Sequence, residues 1–215
     1  METHLIYFTI VDGYQLNADK VLVKMKNIIL NTLQETITIK ERFIKDHIDL
    51  IQRGADKLAT CITSGHKILI FGNGGSAADA QHIAAEFVNR FQIERPPLAA
   101  LALTTDTSII TSIGNDYHFD DIFSKQIQAL GAKDDIAIGI STSGNSANVI
   151  KAISAAKDIG MFAIGLTGSG GELADCADLV FSVKTDITAR IQEAHITLGH
   201  IWCDLVDRIL FPEKF

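Results

Sequence analysis

The sequence predicts an α/β protein, doubly wound, with a mainly five-stranded parallel sheet flanked by helices, an N-terminal helical pair and a long C-terminal helix. Between residues 67 and 183, apolar segments of strand length alternate with helical segments. These strand segments are apolar at nearly every position, which is typical of parallel strands buried on both faces. A length of 215 residues with 47% hydrophobic composition is sufficient for one domain with a sizeable core.

The N-terminal part is predicted to be helical. From about Asn17 to Ser64, apolar residues recur at spacings of three and four. Residues 36–38 interrupt this pattern with two threonines, so we expect two helices, the second ending near Gly65. We expect residues 1–24 to be an extension outside the fold, and residues 25–215 to form a single domain.

The remaining elements alternate in order along the chain. Gly131 and Gly160 are expected at helix C-termini. The last helix is expected to run from about Thr188 to Leu210 and to stop before Pro212. The five predicted strands are residues 67–72, 98–105, 135–142, 162–168 and 178–183.

Composition excludes several classes of function. The net charge of −7 argues against a nucleic-acid-binding surface, which would require a basic stripe. No segment is long and apolar enough to span a membrane, and the apolar run near the N-terminus lacks the basic flank of a signal peptide. Cys61, Cys176 and Cys203 are scattered and are expected to be reduced. These features predict a cytoplasmic protein.

A glycine turn, GNGGS at residues 72–76, follows the first strand. Gly72, Gly74 and Ala77 fit the relaxed dinucleotide fingerprint G-x-G-x-x-A. Glycines let the backbone approach a ligand, and the following helix would point its N-terminal amides at it. A tight turn without a ligand explains this stretch equally well.

A hydroxyl-rich loop, STSGNS at residues 141–146, follows the third strand and precedes a helix. Ser146 could be a simple N-cap, but the other hydroxyl residues cannot all be caps. Hydroxyl donors at a helix N-terminus suit a phosphate group. The sequence lacks G-x-x-x-x-G-K-[ST], so a nucleoside triphosphate is not implied.

Two helices carry polar residues that could support chemistry. Asp79, His82 and Glu86 share one face of the helix after the glycine turn, which suits proton transfer or a metal ion, although a surface hydrogen bond is the simpler alternative. On the last helix, Gln192 and His200 are ~12 Å apart along the axis. The other candidates there are Glu193 and His195, and we expect His195 to pack locally.

In GNDYHFDD, Asn115 and Asp116 are predicted to lie in a loop after a short helix. Taken alone, this motif favours a solvated loop.

Five separated motifs together resemble the phosphoheptose isomerase family, the sedoheptulose 7-phosphate isomerase branch of the sugar isomerase (SIS) fold, which is flavodoxin-like. They are FGNGGSAADAQHIAAEF, GNDYHFDDIFSKQ, ISTSGNSANVIKA, LTGSGGELADCAD and RIQEAHITLGHIWCDLVD. The resemblance covers roughly residues 25–212. It implies interconversion of sedoheptulose 7-phosphate and D-glycero-D-manno-heptose 7-phosphate, an early step of ADP-heptose and lipopolysaccharide heptose biosynthesis. It also implies a homotetramer with active sites near subunit contacts and one zinc ion per subunit.

The resemblance further implies roles for individual residues, with Glu86 and His200 as the catalytic pair. The metal ligands would be His82, Glu86, Gln192 and His200. The substrate-binding residues would be Asn73, Gly74, Gly75, Ser76, Glu86, Asn115, Asp116, Ser141, Thr142, Ser143, Ser146 and Gln192.

Two other functions stay open at this point. A related branch of the same fold consists of tetrameric scaffolds that associate with the bacterial replication initiator, and the RIQE, CDLVD and LFP segments resemble that branch as well. That branch lacks the acid and the histidine found here at Glu86 and His200, which favours the enzyme. The third possibility is a domain that senses sugar phosphates.

Overall fold

The computed structural model of the protein describes residues 18–215, which fall into two units, residues 18–37 and residues 38–215. All of the strands and the candidate site lie in the second unit. The helices are α1 (Ala18–Asp46), α2 (Ile48–Thr63), α3 (Gly75–Val88), α4 (Thr107–Asp116), α5 (Ser124–Leu130), α6 (Ala147–Asp158), α7 (Glu172–Cys176) and α8 (Thr188–Leu210), with short 3₁₀ turns at Phe119–Asp121 and Pro212–Lys214. The strands are β1 (Ile68–Gly72), β2 (Ala100–Ala102), β3 (Ile136–Ser141), β4 (Phe162–Thr167) and β5 (Leu179–Ser182).

The predicted five-stranded parallel sheet is confirmed. Its strand order is β2-β1-β3-β4-β5, and all four strand pairs are parallel. After β1 the chain leaves to one side to form β2, and it then crosses to the other side to form β3. In an open parallel sheet, this reversal creates a crevice beyond the carboxyl ends of β1 and β3, where ligands bind.

The core lies on both faces of the sheet, as the apolar strands predict. In β1, Ile68 and Ile70 pack into one cluster with Trp202 of α8, while Leu69 and Phe71 pack into a second cluster on the opposite face. All four of these β1 side chains are fully buried. This two-sided burial explains why the strands lack apolar–polar alternation.

The division of the N-terminal helices differs from the prediction. The break lies at His47, whereas residues 36–38 are helical. Threonine costs only a few tenths of a kcal/mol relative to good helix formers, which a long helix tolerates. At the actual break, the His47 ring contacts the carbonyl oxygen of Phe43 at 2.8 Å. Such a local side-chain bond competes with continued helical pairing.

The N-terminal extension was predicted to end at residue 24. Residues 1–17 lie outside the described residues, and α1 begins at Ala18 and continues through the predicted boundary. The boundary at residue 25 therefore stays a prediction for residues 1–17, while residues 18–24 are helical.

Other expected features are confirmed. Helix α8 has the predicted bounds, Gly131 is the C-cap residue of α5, and Gly160 lies two residues after the end of α6. Cys61 and Cys203 are buried, and burial raises the pKa of their thiols to about 11 and about 12. In the described part of the chain, no helix combines the length and hydrophobicity of a membrane span.

Candidate active site

The glycine turn after β1 begins the site. Gly74 has a φ of +55°, which favours glycine, and α3 starts at the next residue. The side-chain amides of Asn73 and Asn148 form a reciprocal pair, with N–O distances of 2.8 and 2.9 Å. This pair fixes the turn to the first turn of α6.

The sequence-based interpretation missed Asn148. Its side chain is buried in α6, at only 3% exposure. An asparagine at a helix position that would otherwise be apolar is a usable signal, because buried amides require hydrogen-bond partners. Its partner, however, lies 75 residues away along the chain and cannot be identified from one sequence.

The hydroxyl-rich loop after β3 lies on the neighbouring strand end. The Ser141 hydroxyl is 2.9 Å from the Ser146 hydroxyl and 3.3 Å from the Ser143 hydroxyl. Ser146 occupies the N-cap position of α6, but its side chain makes no capping hydrogen bond. Ser146 is therefore the N-cap residue by position, as the sequence allowed, but its hydroxyl does not cap the helix. The first-turn amides of α6 lack a side-chain cap, as suits an anion-binding helix N-terminus.

The backbone of this loop is held against the loop after β4. Gly144 has a φ of +69°, and a Cβ there would lie 1.9 Å from the Gly170 carbonyl oxygen. The Leu173 amide donates to the Gly144 carbonyl at 2.9 Å. A cavity of about 410 Å³ adjoins the loop and is lined by Thr142, Ser143, Ser169, Gly170, Gly171, Thr185, Asp186, Thr188 and Ile191. The loop is thus a preformed polar wall.

Three side chains from two helices converge in one cluster. His82 and Glu86 come from α3, and His200 comes from α8. The two histidine Nε2 atoms are 2.9 Å apart, and His82 Nε2 is 3.3 Å from Glu86 Oε1. One potential ligand atom from each residue lies within 4.8 Å of the others. His200 joins the pair from a second helix, so a surface hydrogen bond within α3 does not account for the cluster.

The surroundings favour a neutral His200. Burial lowers the pKa of His200, and the neighbouring His82 lowers it further. The ring of Phe91 stacks on the His200 ring at a centroid distance of 5.6 Å. A neutral imidazole can accept a proton or bind a metal ion.

Asp79 lies one turn before His82 on α3. Burial raises its carboxyl pKa to about 6, while His82 opposes the rise. Its Oδ2 atom is buried and has no hydrogen-bond partner among the described residues. This acidic group adds negative potential to the histidine side of the cluster.

Gln192 lies against the start of α3. A Cβ on Gly75 would come within 2.2 Å of Gln192 Nε2, so the amide occupies the space above this glycine. Gln192 is half-buried and begins the face of α8 that continues to His200. The Gln192 amide therefore lies at the glycine turn. Gln192 and His200 are at opposite ends of this face of α8.

The position of Asn115 and Asp116 corrects the prediction of a loop. Both belong to the last turn of α4, which has no buried residue. Both are exposed, and Asn115 Nδ2 donates to Asp116 Oδ1 at 2.8 Å. The contact that the structure gives this pair is internal, and it does not join them to the histidine–glutamate cluster.

His195 packs locally, as predicted. It is fully buried, and its Nε2 atom lies 3.1 Å from the Thr167 carbonyl oxygen. Burial lowers the pKa of His195 to about 4. Its role is therefore in the core beneath the site.

This buried histidine predicts a loss of stability in acid. Between pH 6.5 and pH 4, the unfolded chain binds a proton at His195 that the folded chain does not, so the free energy of unfolding falls as pH falls. The full effect is about 3 kcal/mol, because one pKa unit corresponds to about 1.4 kcal/mol. Urea unfolding of the wild type and of His195→Gln between pH 6.5 and pH 4 measures this loss of free energy of unfolding. The difference between the two should be pH-dependent, and an equal slope in both proteins would contradict this role of His195.

The donor set fits a zinc ion. Two imidazole nitrogens and a carboxylate oxygen are characteristic zinc ligands, and catalytic zinc sites typically use three protein ligands with a further position for substrate. The close approach of two histidine nitrogens and a carboxylate is a chemically coherent binding arrangement for a divalent cation.

Comparison with known proteins agrees with this geometry. The SIS domain family model matches residues 33–168. A phosphoheptose isomerase of Nitratidesulfovibrio vulgaris is 54% identical over 187 residues, covering 86% of this chain and 90% of the relative. One from Aneurinibacillus thermoaerophilus is 51% identical over 194 residues, covering 89% and 98%.

A solved structure gives the same result. The phosphoheptose isomerase of Neisseria gonorrhoeae has 46% sequence identity and a TM-score of 0.81, covering 85% of this chain and 98% of that one. This chain therefore belongs to the phosphoheptose isomerase family of SIS-domain proteins.

Proposed function

We propose that this protein is an aldose–ketose isomerase that interconverts sedoheptulose 7-phosphate and D-glycero-D-manno-heptose 7-phosphate, an early step of ADP-heptose and lipopolysaccharide heptose biosynthesis. The observation that carries the proposal is the convergence of His82 and Glu86, on the helix that follows the glycine turn, with His200 of α8. The relatives at about half identity are named phosphoheptose isomerases.

The reaction moves a proton between C1 and C2 through an ene-diol. Glu86 removes the proton from one carbon and returns it to the other, so that its carboxylate is regenerated. His200 transfers the accompanying proton between the two substrate oxygens, as a neutral imidazole can. No external oxidant or reductant is needed, because the ketose and the aldose are at the same oxidation level.

One zinc ion per subunit would be held by His82, Glu86, Gln192 and His200, and when bound it would polarise the substrate carbonyl. The carboxylate of Glu86 has two oxygens and can divide metal binding and proton transfer between them. Gln192 would also orient the sugar, together with Asn115 and Asp116.

The phosphate would lie at the opposite end of the site. The hydroxyls of Ser141, Thr142, Ser143 and Ser146 and the first amides of α6 supply donors. The glycine turn at residues 73–76 adds backbone donors on the adjacent strand end. The phosphate would thus be fixed away from the reacting carbons.

The test is direct. Purified protein is incubated with sedoheptulose 7-phosphate, with and without a chelator, and the aldose product is measured. We expect product formation that the chelator abolishes and added zinc restores. Absence of product with the zinc-loaded protein would contradict the proposed activity.

Removing phosphate-binding hydroxyls should affect substrate affinity most. We expect Ser143→Ala and Ser146→Ala to raise KM more than they lower kcat, because contacts far from the reacting carbons bind ground and transition states nearly equally. Steady-state kinetics separates the two parameters, with exposed Ser154→Ala as the control. A fall in kcat at constant KM would show that the loop does more than anchor the phosphate.

A homotetramer with active sites near subunit contacts is the proposed assembly. In the first unit, α1 exposes a run of large apolar side chains at Leu22, Val23, Met25, Ile28, Ile29, Leu30, Leu33 and Ile37. In the second unit, an apolar groove of about 420 Å³ is lined by residues including Ile48, Ile201, Leu205 and Ile209. Exposed apolar surfaces of this kind mark protein interfaces.

Light scattering at micromolar concentration tests the assembly. We expect a mass four times that of the 23.4 kDa chain. A monomer would contradict both the tetramer and an active site near subunit contacts.

The scaffold function rests only on the resemblance of the RIQE, CDLVD and LFP segments. Glu86 and His200, which distinguish the enzyme branch, lie in the same cluster as His82. A scaffold requires neither a base nor an imidazole at these positions. The proposed substrate is a small sugar phosphate, with no role for nucleic acid or membrane, and the proposed location is the cytoplasm.

A further inference from the structure

A buried arginine connects the two helices that supply the histidine–glutamate cluster. Arg95 and Asp207 form an ion pair with Nε and Oδ1 2.6 Å apart, and their side chains are 0% and 2% exposed. Arg95 lies in the segment between α3 and β2, and Asp207 lies on α8. A pair so completely removed from water needs a structural or functional reason, because desolvation of both charges is costly.

The rest of the guanidinium caps the end of α3. Its Nη2 atom donates to the Glu86 carbonyl at 2.9 Å, and its Nη1 atom donates to the Phe87 carbonyl at 2.7 Å. Helix α3 ends at Val88, so these carbonyls belong to the last turn and lack intrahelical partners. A positive charge at a helix C-terminus is favourable.

This cap acts on a residue of the site itself. Glu86 is in the last turn of α3, where helices fray. Arg95 donates a hydrogen bond to the backbone carbonyl of Glu86. On α8, His200 and Asp207 are seven residues apart, which places them on one face two turns apart. Arg95 therefore links the backbone of Glu86 to the helix face that carries His200.

The same segment contacts His200 directly. Phe91, four residues before Arg95, stacks on the His200 ring. The amide of Leu98, at the other end of the segment, donates to the Phe87 carbonyl at 3.1 Å. The segment is thus anchored to α8 before Arg95 and to α3 after it.

We propose that Arg95, paired with Asp207, is a positioning residue that sets the separation of Glu86 and His200 and so the affinity of the cluster for its metal ion. This inference rests on the proposed metal-dependent isomerase. Groups that orient metal ligands typically change metal affinity by about 10–100-fold when they are altered. The planar guanidinium is essential, because its fork reaches a carboxylate and two carbonyls at once, whereas an ammonium group cannot reproduce that geometry.

Cobalt titration tests the proposal without substrate. Co²⁺ is added to metal-free protein, and its visible absorption reports both affinity and ligand geometry. We expect Arg95→Lys to fold, to bind Co²⁺ at least about 10-fold more weakly and to show an altered spectrum. Arg208→Lys is the matched control, because Arg208 forms an exposed pair with Asp204 on the same helix, and it should match the wild type.

A second variant separates positioning from stability. Arg95→Met alone leaves Asp207 buried and unpaired, so it should lower Tm strongly. In the double variant Arg95→Met with Asp207→Leu, an apolar pair replaces the ions, which is often neutral or stabilising, so Tm should recover. Cobalt affinity should stay low, because the α3 carbonyls remain uncapped, and kcat should fall more than KM changes.

Each contrary result overturns the proposal. Wild-type cobalt affinity and spectrum in Arg95→Lys would do so, as would recovery of cobalt affinity together with Tm in the double variant, or an absence of cobalt binding by the wild type. Failure of the wild type to isomerise sedoheptulose 7-phosphate would instead reject the proposed activity, since the cobalt titration involves no sugar.

Discussion

Replacing Glu86 with glutamine is expected to lower kcat by about 10²–10⁴-fold, the usual contribution of a general base. Glutamine retains the shape of the side chain and one oxygen that can bind a metal ion, but it cannot accept the carbon-bound proton. Fold and assembly should be unchanged, because Glu86 is only half-buried and contacts His82 rather than the core. Steady-state kinetics with sedoheptulose 7-phosphate measures the effect.

Two controls make this result specific. The metal content of Glu86→Gln shows whether kcat falls because the general base is lost or because a metal ligand is lost. Assays at saturating zinc exclude a weakened affinity for zinc as the cause. Glu213→Gln makes the same chemical change at an exposed position near the C-terminus and should leave kcat unchanged. Activity of Glu86→Gln within a few-fold of the wild type would remove Glu86 from the mechanism.

The sheet and its outer helices could be predicted because their signals are local. Each strand is a short apolar run. Helix α8 has a long amphipathic pattern, and Pro212 marks its end. The break between α1 and α2 could not be predicted, because the threonines near residue 37 are weak helix formers rather than helix breakers. At the actual break, the His47 ring contacts a backbone carbonyl, a local interaction that the pattern of apolar residues does not indicate.

The candidate site also contains some residues that the sequence predicts and others that it does not. The pair His82 and Glu86 is visible at a helical spacing, and the hydroxyl-rich loop is contiguous, so both could be proposed from the sequence. Convergence with His200 depends on how α3 packs on α8, which the family resemblance implied but spacing alone did not. Asn148 and Arg95 act through partners 75 and 112 residues away, which one sequence cannot identify.

Gly75→Ala should separate stability from function. Gly75 is the first residue of α3 and does not have a positive φ, so alanine fits its backbone and should raise helix stability by up to about 1 kcal/mol. The new Cβ would, however, lie 2.2 Å from Gln192 Nε2. The flexible end of Gln192 must move, and with it a proposed ligand of both the metal ion and the sugar. We expect an unchanged or higher Tm together with metal affinity weakened tenfold or more, which is about 1.4 kcal/mol.

A double-mutant cycle assigns this loss to Gln192. If Gly75→Ala acts by displacing the amide, then Gln192→Ala and Gly75→Ala should each weaken metal binding, and the double variant should be little worse than Gln192→Ala alone. The two residues are in contact, so such non-additivity is the physical signature of a shared cause. Additive losses would mean that Gly75 acts on the ligand through the glycine turn itself. Wild-type affinity in Gly75→Ala would mean that Gln192 binds its ligand from a position that leaves room above residue 75.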